Sequence, residues 1–428
     1  MQNTVTESAY WPLYKKVAFR FSLIFFLAFV VLNPNGVLLD ALHVYYIQPV
    51  HSLVVWSGAH LLHLPKPITI FTNGSGDTTY DYLIILLISV TAGAGALIWS
   101  VLDRRVRNYN NLFYWLLVVV RYYVAISMIS YGCVKIIKLQ FPGPTPSRLL
   151  QSYGDSSPMG LAWTYIGYST GFNIFTGLAE FICGIFLFFR RTTIMGALLG
   201  LVVAGNIMAI NYAYDVPVKI VSTVLFVMCL FILSKDAGRL INLLVLNKPA
   251  LAANMAPHTF KRRWKNITLC VIKYVLVIYI VVSNFYGDWE ARSQYGETAK
   301  KPPFYGIYNV ESFIRNKDTI APLKTDSTCW HKLIVSYPGY AQVKMTNDSI
   351  SGYGMTVDTL KHTIKMELYG SNGNVTYFNY TEKKPDLLLL QGNHNNSVLQ
   401  IKLRKYDLNN FILLRRGFHW VNEYPYNR

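Results

Sequence analysis

Charged side chains are scarce in this sequence, and carboxylates are the scarcest of them. Charged residues make up 14% of the 428 residues, with 22 Asp and Glu against 40 Lys and Arg, whereas 52% of the residues are hydrophobic. Soluble domains carry about 25% charged residues, so the composition does not fit a chain of soluble domains alone. Most basic residues flank apolar runs, where they act as topology signals and contact anionic lipid. We therefore expect a membrane protein in contact with the lipid bilayer and no nucleic-acid partner.

The sequence also lacks paired cysteines. Its five cysteines are single, with no C-x-x-C, so neither a dithiol redox centre nor a disulfide framework is supported. The histidines of residues 43–63 have no carboxylate or cysteine at ligand spacing, and no metal site is expected. The region after residue 285 contains neither G-x-S-x-G nor H-E-x-x-H. The absence of these motifs leaves open whether the protein is an enzyme.

Seven segments are long and apolar enough to span a membrane. They are residues 17–32, 80–101, 112–137, 171–189, 193–212, 216–233 and 267–285. Basic clusters precede the first segment and occupy every second loop, which by the positive-inside rule places the N-terminus in the cytoplasm. Between the first two segments, Pro49 and Gly58 interrupt an apolar stretch, and two short interfacial helices are expected there. Residues 1–285 are thus predicted to form a transmembrane domain.

The composition changes after residue 285. Residues 286–303 are polar and contain Pro302 and Pro303, which is typical of a linker. Residues 304–428 hold short alternating runs separated by turn signals, at a spacing of roughly 8–12 residues. The runs are residues 331–337, 340–345, 362–370, 375–382, 386–392, 398–407 and 411–416. They predict an extracytoplasmic all-β domain, either a sandwich or a small barrel.

Two charges lie deep inside apolar segments. Glu180 is at the middle of residues 171–189, and Arg121 lies at similar depth in residues 112–137. An unpaired charge at the bilayer centre costs at least about 2.5–3.5 kcal/mol, so such residues usually face the bundle interior and pair. Glu180 and Arg121 are therefore predicted to pair and are the candidate catalytic residues. A purely structural ion pair that fixes helix register remains the alternative.

A second polar cluster is expected towards the outer face of the bundle. Side chains there could converge into an entrance that leads to Glu180 and binds a ligand. The alternative is that they cap helices and extend to the interface. The members of this cluster are Lys135, Gln140, Asn206, Asn211, Asp215 and Lys219.

Residues 121–233 resemble the DoxX family of bacterial membrane proteins. The likeness rests on YGCVKIIKLQF after Arg121, on GLAEFICGIFLFFRRTTIMGALLGL around Glu180, and on NIMAINYAYDVPVK. It implies a polytopic helical bundle with a DoxX-like four-helix core at 112–233, in the bacterial inner membrane, with the β-domain in the periplasm. The C-terminal RGFHW pattern is similar to that of long forms from Bacteroidetes.

The resemblance also implies a function, since some DoxX relatives are quinone-linked or thiol-linked redox subunits. The absence of cysteine pairs weakens the thiol option. The expectation is therefore a quinone- or lipid-binding subunit of a membrane oxidoreductase system, with quinone as the implied cofactor. The alternative is a membrane anchor whose β-domain engages envelope proteins in assembly or export.

Overall fold

The computed structural model describes residues 10–33, 40–70, 74–250, 252, 260–370, 375–394 and 397–427. The chain divides into two compact units. One is helical and comprises residues 1–142 and 158–297, and the other comprises residues 143–157 and 298–428.

Twelve α-helices occur in the described residues, of which the fifth and twelfth belong to the second unit. In chain order they are α1 (Leu13–Leu32), α2 (Asp40–His60), α3 (Thr79–Leu102), α4 (Asn110–Ile136), α5 (Pro146–Leu150), α6 (Pro158–Tyr168), α7 (Thr170–Phe188), α8 (Thr193–Ala213), α9 (Lys219–Ser234), α10 (Ala237–Leu244), α11 (Arg263–Tyr295) and α12 (Ile412–Arg415).

Five of these helices are long and apolar enough to cross a membrane, namely α3, α4, α7, α8 and α11. A sixth span results if α9 and α10, which meet at an angle of 85°, count as one. All seven predicted apolar segments are helical. Helix α1 has 20 residues but carries Lys15, Lys16 and Arg20, and is not among these spans.

Two expectations about helix boundaries are wrong. Residues 40–60 form one helix with Pro49 inside it, where two short helices were expected. The break occurs after His60 instead, where Ile68 packs over Gly58 so closely that a Cβ on this glycine would lie 2.1 Å from it. Helix α11 also continues to Tyr295, into the expected linker, because the prolines that would stop it come only at 302 and 303.

The backbones of α4 and α7 touch at glycines. A Cβ at Gly132 would lie 2.8 Å from the carbonyl oxygen of Gly177, and one at Gly184 would lie 2.6 Å from that of Ala125. Small residues permit this close approach between membrane helices. The two contacts run in opposite directions along the two helices, so α4 and α7 are antiparallel with a fixed register.

The second unit is a β-barrel, which decides between the two predicted architectures. Its strands are β1 (Gly306–Arg315), β2 (Asp318–Thr319), β3 (Trp330–Tyr337), β4 (Tyr340–Met345), β5 (Ile350–Asp358), β6 (Thr363–Leu368), β7 (Val375–Lys384), β8 (Leu387–His394) and β9 (Ser397–Tyr406). Apart from the short β2, which pairs only with β1, neighbours in sequence pair antiparallel. Pairing of β1 with β9, from Ile307–Tyr406 to Arg315–Leu399, closes the eight-stranded barrel.

The barrel interior is filled by alternate side chains of each strand. On β4 these are Ala341, Val343 and Met345, which are buried while their neighbours are more exposed, as the two-residue period of a strand requires. The sequence did not indicate β1 or β5. The last predicted strand, residues 411–416, is instead the short helix α12.

Candidate functional site

A buried ion pair joins α4 to α7. The ammonium of Lys135 donates a hydrogen bond to Glu180 Oε1, and the two residues are only 6% and 1% exposed. The prediction that Glu180 pairs with Arg121 is therefore wrong.

The register of the two helices explains the partner. Glu180 lies between the glycines of α7 that contact α4 around residues 125–132. Helical side chains lean towards the N-terminus of their own helix. In this antiparallel pair Lys135 and Glu180 lean towards each other, whereas Arg121 leans away from the carboxylate.

One oxygen of the carboxylate has no partner. Glu180 Oε2 is buried and accepts no hydrogen bond. The Lys135 ammonium lies 5.9 Å from the centre of the Phe141 ring. A buried acceptor without a donor costs about 1–3 kcal/mol, more when it is charged. The pair can therefore take up a donor from a ligand, or hold a proton, at this oxygen.

Arg121 belongs to a different group of residues. Its Nη1 donates to Thr193 Oγ1 over 3.2 Å, and its guanidinium carbon lies 5.5 Å from the centre of the Tyr122 ring. It lies within electrostatic range of Arg190. The side chain therefore faces the corner between α7 and α8.

The predicted entrance does not assemble around Glu180. Asn211 is buried and donates to Ser222 Oγ over 3.0 Å, which joins α8 to α9. Asp215 and Lys219 form an exposed pair at 2.8 Å. Asn206 is exposed on α8, whereas Gln140 is half-buried with an unpartnered Oε1. In the described part of the chain, Lys135 is the one member of this group that makes a hydrogen bond or ion pair with Glu180.

Sequence reasoning missed Asp77, which organises the α8–α9 junction. Its carboxylate accepts hydrogen bonds from the backbone N–H groups of Lys219 and Ile220, at 2.7 and 3.0 Å. It thereby caps the N-terminus of α9 across 142 residues of sequence. A local pattern could not reveal this cap, since the N-cap residue Val218 offers no side-chain acceptor.

A second missed cluster lies around Arg20, which is 1% exposed. Its guanidinium donates to the hydroxyls of Tyr109 and Ser100 and to the carbonyl of Asp103. Tyr109 in turn donates to the carboxylate of Asp103 over 2.7 Å. This network ties α1 to the segment between α3 and α4 and has the satisfied bonding of a structural cluster.

Two further features bear on possible chemistry. Cys183 and Cys229 both flank Gly200, where a Cβ would lie 2.9 and 3.0 Å from their sulfur atoms. They are free thiols brought together from distant positions in the sequence.

Ser169 lies in a G-x-S-x-G sequence but joins two helices and caps α7 by accepting from the N–H of Phe172. The strand-to-helix elbow of hydrolases is not formed there.

Comparison with known proteins identifies one relative. The chain is 34% identical over 116 residues to the uncharacterized protein YwoB of Bacillus subtilis (strain 168), and the match covers 27% of this chain and 73% of that protein. The chain belongs to the YwoB family. No protein-family model and no solved structure matches it. The name YwoB assigns no activity, so membership of the YwoB family brings none to this chain.

Proposed function

We propose that this chain is a DoxX-like integral membrane protein of the bacterial inner membrane, and that Lys135 and Glu180 bind a quinone or a lipid of similar shape for a membrane oxidoreductase system. The observation that carries the proposal is the buried Lys135–Glu180 pair with its unpartnered carboxylate oxygen. Ionisable residues at membrane depth are costly, so the presence of two of them there supports a functional role. Under this proposal the β-barrel lies in the periplasm.

The donors and acceptors of the pair fit a quinone headgroup. The Lys135 ammonium can donate to a carbonyl oxygen of a quinone, and Glu180 Oε2 can accept from a hydroxyl group of the reduced quinol. When bound, a quinone supplies electron and proton transfer. The part of this chain is to orient the headgroup, to exclude water with apolar helices, and to hold or release a proton at Glu180.

The test is quinone retention by the purified full-length protein. We would extract wild type, Glu180→Gln and the double variant Lys135→Met/Glu180→Met with organic solvent and quantify quinone per chain by mass spectrometry; the double variant lacks both binding groups but leaves no buried charge unpaired. Asp215→Asn is the matched control, because this carboxylate pairs with a lysine but is 84% exposed. A stoichiometric quinone that is lost in the first two variants and kept in the control is expected. Phospholipid alone in the wild type would overturn the proposal.

A second candidate function rests on the barrel. At one end of it a cavity of about 780 Å³ opens between the start of β1 and the turns that follow β5, β7 and β9. Its walls combine aromatic and charged side chains, including Phe304, Tyr308, Tyr380, Lys405 and Asp407. An envelope protein engaged there would make the helical unit an anchor.

Site-specific photo-crosslinking separates this candidate from the first. A photo-reactive residue at Thr359, which lines the cavity, should give one discrete protein adduct in intact cells. The same residue at Tyr369, which is exposed at the opposite end of the barrel, is the control. Equal labelling from both positions would count against an envelope partner at the cavity.

A further inference from the structure

Three cationic side chains gather at the corner between α7 and α8. They are Arg121 on α4, Arg190 in the corner itself, and Lys273 on α11. The positive charge of Lys273 interacts with that of each arginine, and the charges of the two arginines interact with each other. No ion pair connects any of the three to a carboxylate within the described residues. We call these three residues the corner cluster.

The neutral partners of the corner cluster leave donors unused. Arg190 donates through Nη2 to the Tyr114 hydroxyl, and Arg121 donates through Nη1 to the Thr193 hydroxyl. Arg190 Nη1 and Arg121 Nε are both buried without a hydrogen-bond acceptor. Buried donors of this kind are costly, and three neighbouring positive charges repel one another. An anion in the corner would accept hydrogen bonds from these donors and would offset the repulsion between the three charges.

The start of α8 adds further positive potential. Thr192 is the N-cap residue, yet its side chain makes no capping hydrogen bond. Its hydroxyl donates instead to the carbonyl oxygens of Phe186 and Phe189. The first N–H groups of α8 thus lack a side-chain cap, and a helix N-terminus with free N–H groups attracts anions.

Aromatic rings line the corner. The Lys273 ammonium lies 4.6 Å from the centre of the Phe189 ring, and that ring is 6.3 Å from the ring of Tyr274. Arg121 and Lys273 each lie about ten residues, or about 15 Å, from the start of their helix at 1.5 Å per residue. Both charged side chains therefore come from the interior of their helices and not from helix ends.

We infer that the corner cluster binds a phosphate group, either the headgroup of an anionic lipid or a soluble phosphate. Two guanidinium groups and one ammonium attract the negative charge of a phosphate, and the planar guanidinium fork bonds two of its oxygens at once. The apolar helices beside the corner suit the acyl chains of a lipid. This site is independent of the quinone proposal, because Arg121 and Lys135 are 14 residues, about 21 Å, apart on α4.

The test measures phosphate binding by the full-length protein in neutral detergent. Phosphatidylglycerol, phosphatidylcholine and inorganic phosphate are titrated separately, and the affinity is obtained from native mass spectrometry and from the rise in unfolding temperature. Arg190→Gln and Lys273→Gln remove members of the corner cluster. Arg191→Gln is the matched control, since this neighbour is exposed and, within the described residues, forms no hydrogen bond or ion pair with the cluster.

Each outcome decides the inference. Loss of a charge-assisted hydrogen bond, worth about 1.5–3 kcal/mol, should weaken binding by about 10–100-fold in the cluster variants and not in Arg191→Gln. Preference for phosphatidylglycerol over phosphatidylcholine identifies a lipid, whereas inorganic phosphate binding alone identifies a soluble anion. Arg190→Lys, which keeps the charge but loses the fork, should give an intermediate affinity and so guards against misfolding. Equal affinities in wild type and all variants would overturn the inference.

Discussion

Substitution of Glu180 by glutamine should destabilise the helical unit strongly. The carboxylate is 1% exposed and Lys135 is 6% exposed, so water screens neither charge. Removing one partner of such a buried pair leaves the other charge uncompensated, which costs about 3–5 kcal/mol. Glu180→Gln and Lys135→Met should each lose about this much free energy of unfolding.

The double variant should behave differently. When both partners of a buried pair become apolar, stability is often unchanged or rises by about 1–4 kcal/mol, because neither charge needs to be desolvated. Lys135→Met combined with Glu180→Met should therefore recover most of the loss caused by either single change. The signature of the pair is this recovery, not the cost of any one variant.

A double-mutant cycle measures the coupling directly. The free energy of unfolding of the full chain would be followed by circular dichroism of the helices as denaturing detergent is added. The control cycle uses Arg239 and Asp236, which form an ion pair of 2.6 Å on the surface of the same unit, with side chains 32% and 16% exposed. Partly exposed pairs contribute about 0.2–1 kcal/mol. A Lys135–Glu180 coupling no larger than this control would refute the reasoning.

Three more predictions follow from packing, capping and charge. Gly184→Val should cost about 1–3 kcal/mol of helical stability, because the valine side chain would overlap the backbone of α4. Gly93→Ala is the control and should not destabilise the protein, because the space around Gly93 is open. Equal unfolding midpoints for the two variants would contradict the close contact at Gly184. Asp77→Ala should cost about 0.5–2 kcal/mol through loss of the cap on α9, whereas Asp215→Asn should cost almost nothing. Hydrogen exchange of the α9 amides should therefore become faster in Asp77→Ala and stay unchanged in Asp215→Asn. In the barrel, hydrogen bonds from Arg404 and Lys402 lower the pKa of Glu311 to about 2. Its contribution is present above the ordinary pKa of about 4.3 and is lost as the pH falls towards 2, so the stability gap between wild type and Glu311→Gln should close over that interval; a constant gap would rule this out.

The helices could be predicted because their signal is local. A run of about 20 apolar residues indicates a membrane helix by its own length and composition, whatever its neighbours are. All seven such runs are helical. The choice between sandwich and barrel was not local. It depends on whether β1 pairs with β9, about 90 residues later, and β1 itself was missed because its sequence, GIYNVESFIR, alternates poorly.

The residues of the site were easier to find than their partners. Glu180, Lys135 and Arg121 stand out because a charge in an apolar run is rare. Which cation meets the carboxylate depends on helix register, and register is set by glycines at 132, 177 and 184 that admit a backbone from another helix. The sequence shows that these positions are small but not which helix each one faces.

The actual register divides the charges of α4 between two environments. Lys135 is neutralised by Glu180, whereas Arg121 lies 14 residues away beside two other cations and no carboxylate in the described residues. A pairing of Glu180 with Arg121 would have left Lys135 uncompensated and two cations at the corner. The observed arrangement instead places three positive charges at one corner, and burying charges without a counter-charge is costly. The same glycine contacts that bury the Lys135–Glu180 pair at one level of the bundle therefore leave Arg121 with the cations of the corner cluster at another, which is where a bound anion would stabilise the protein.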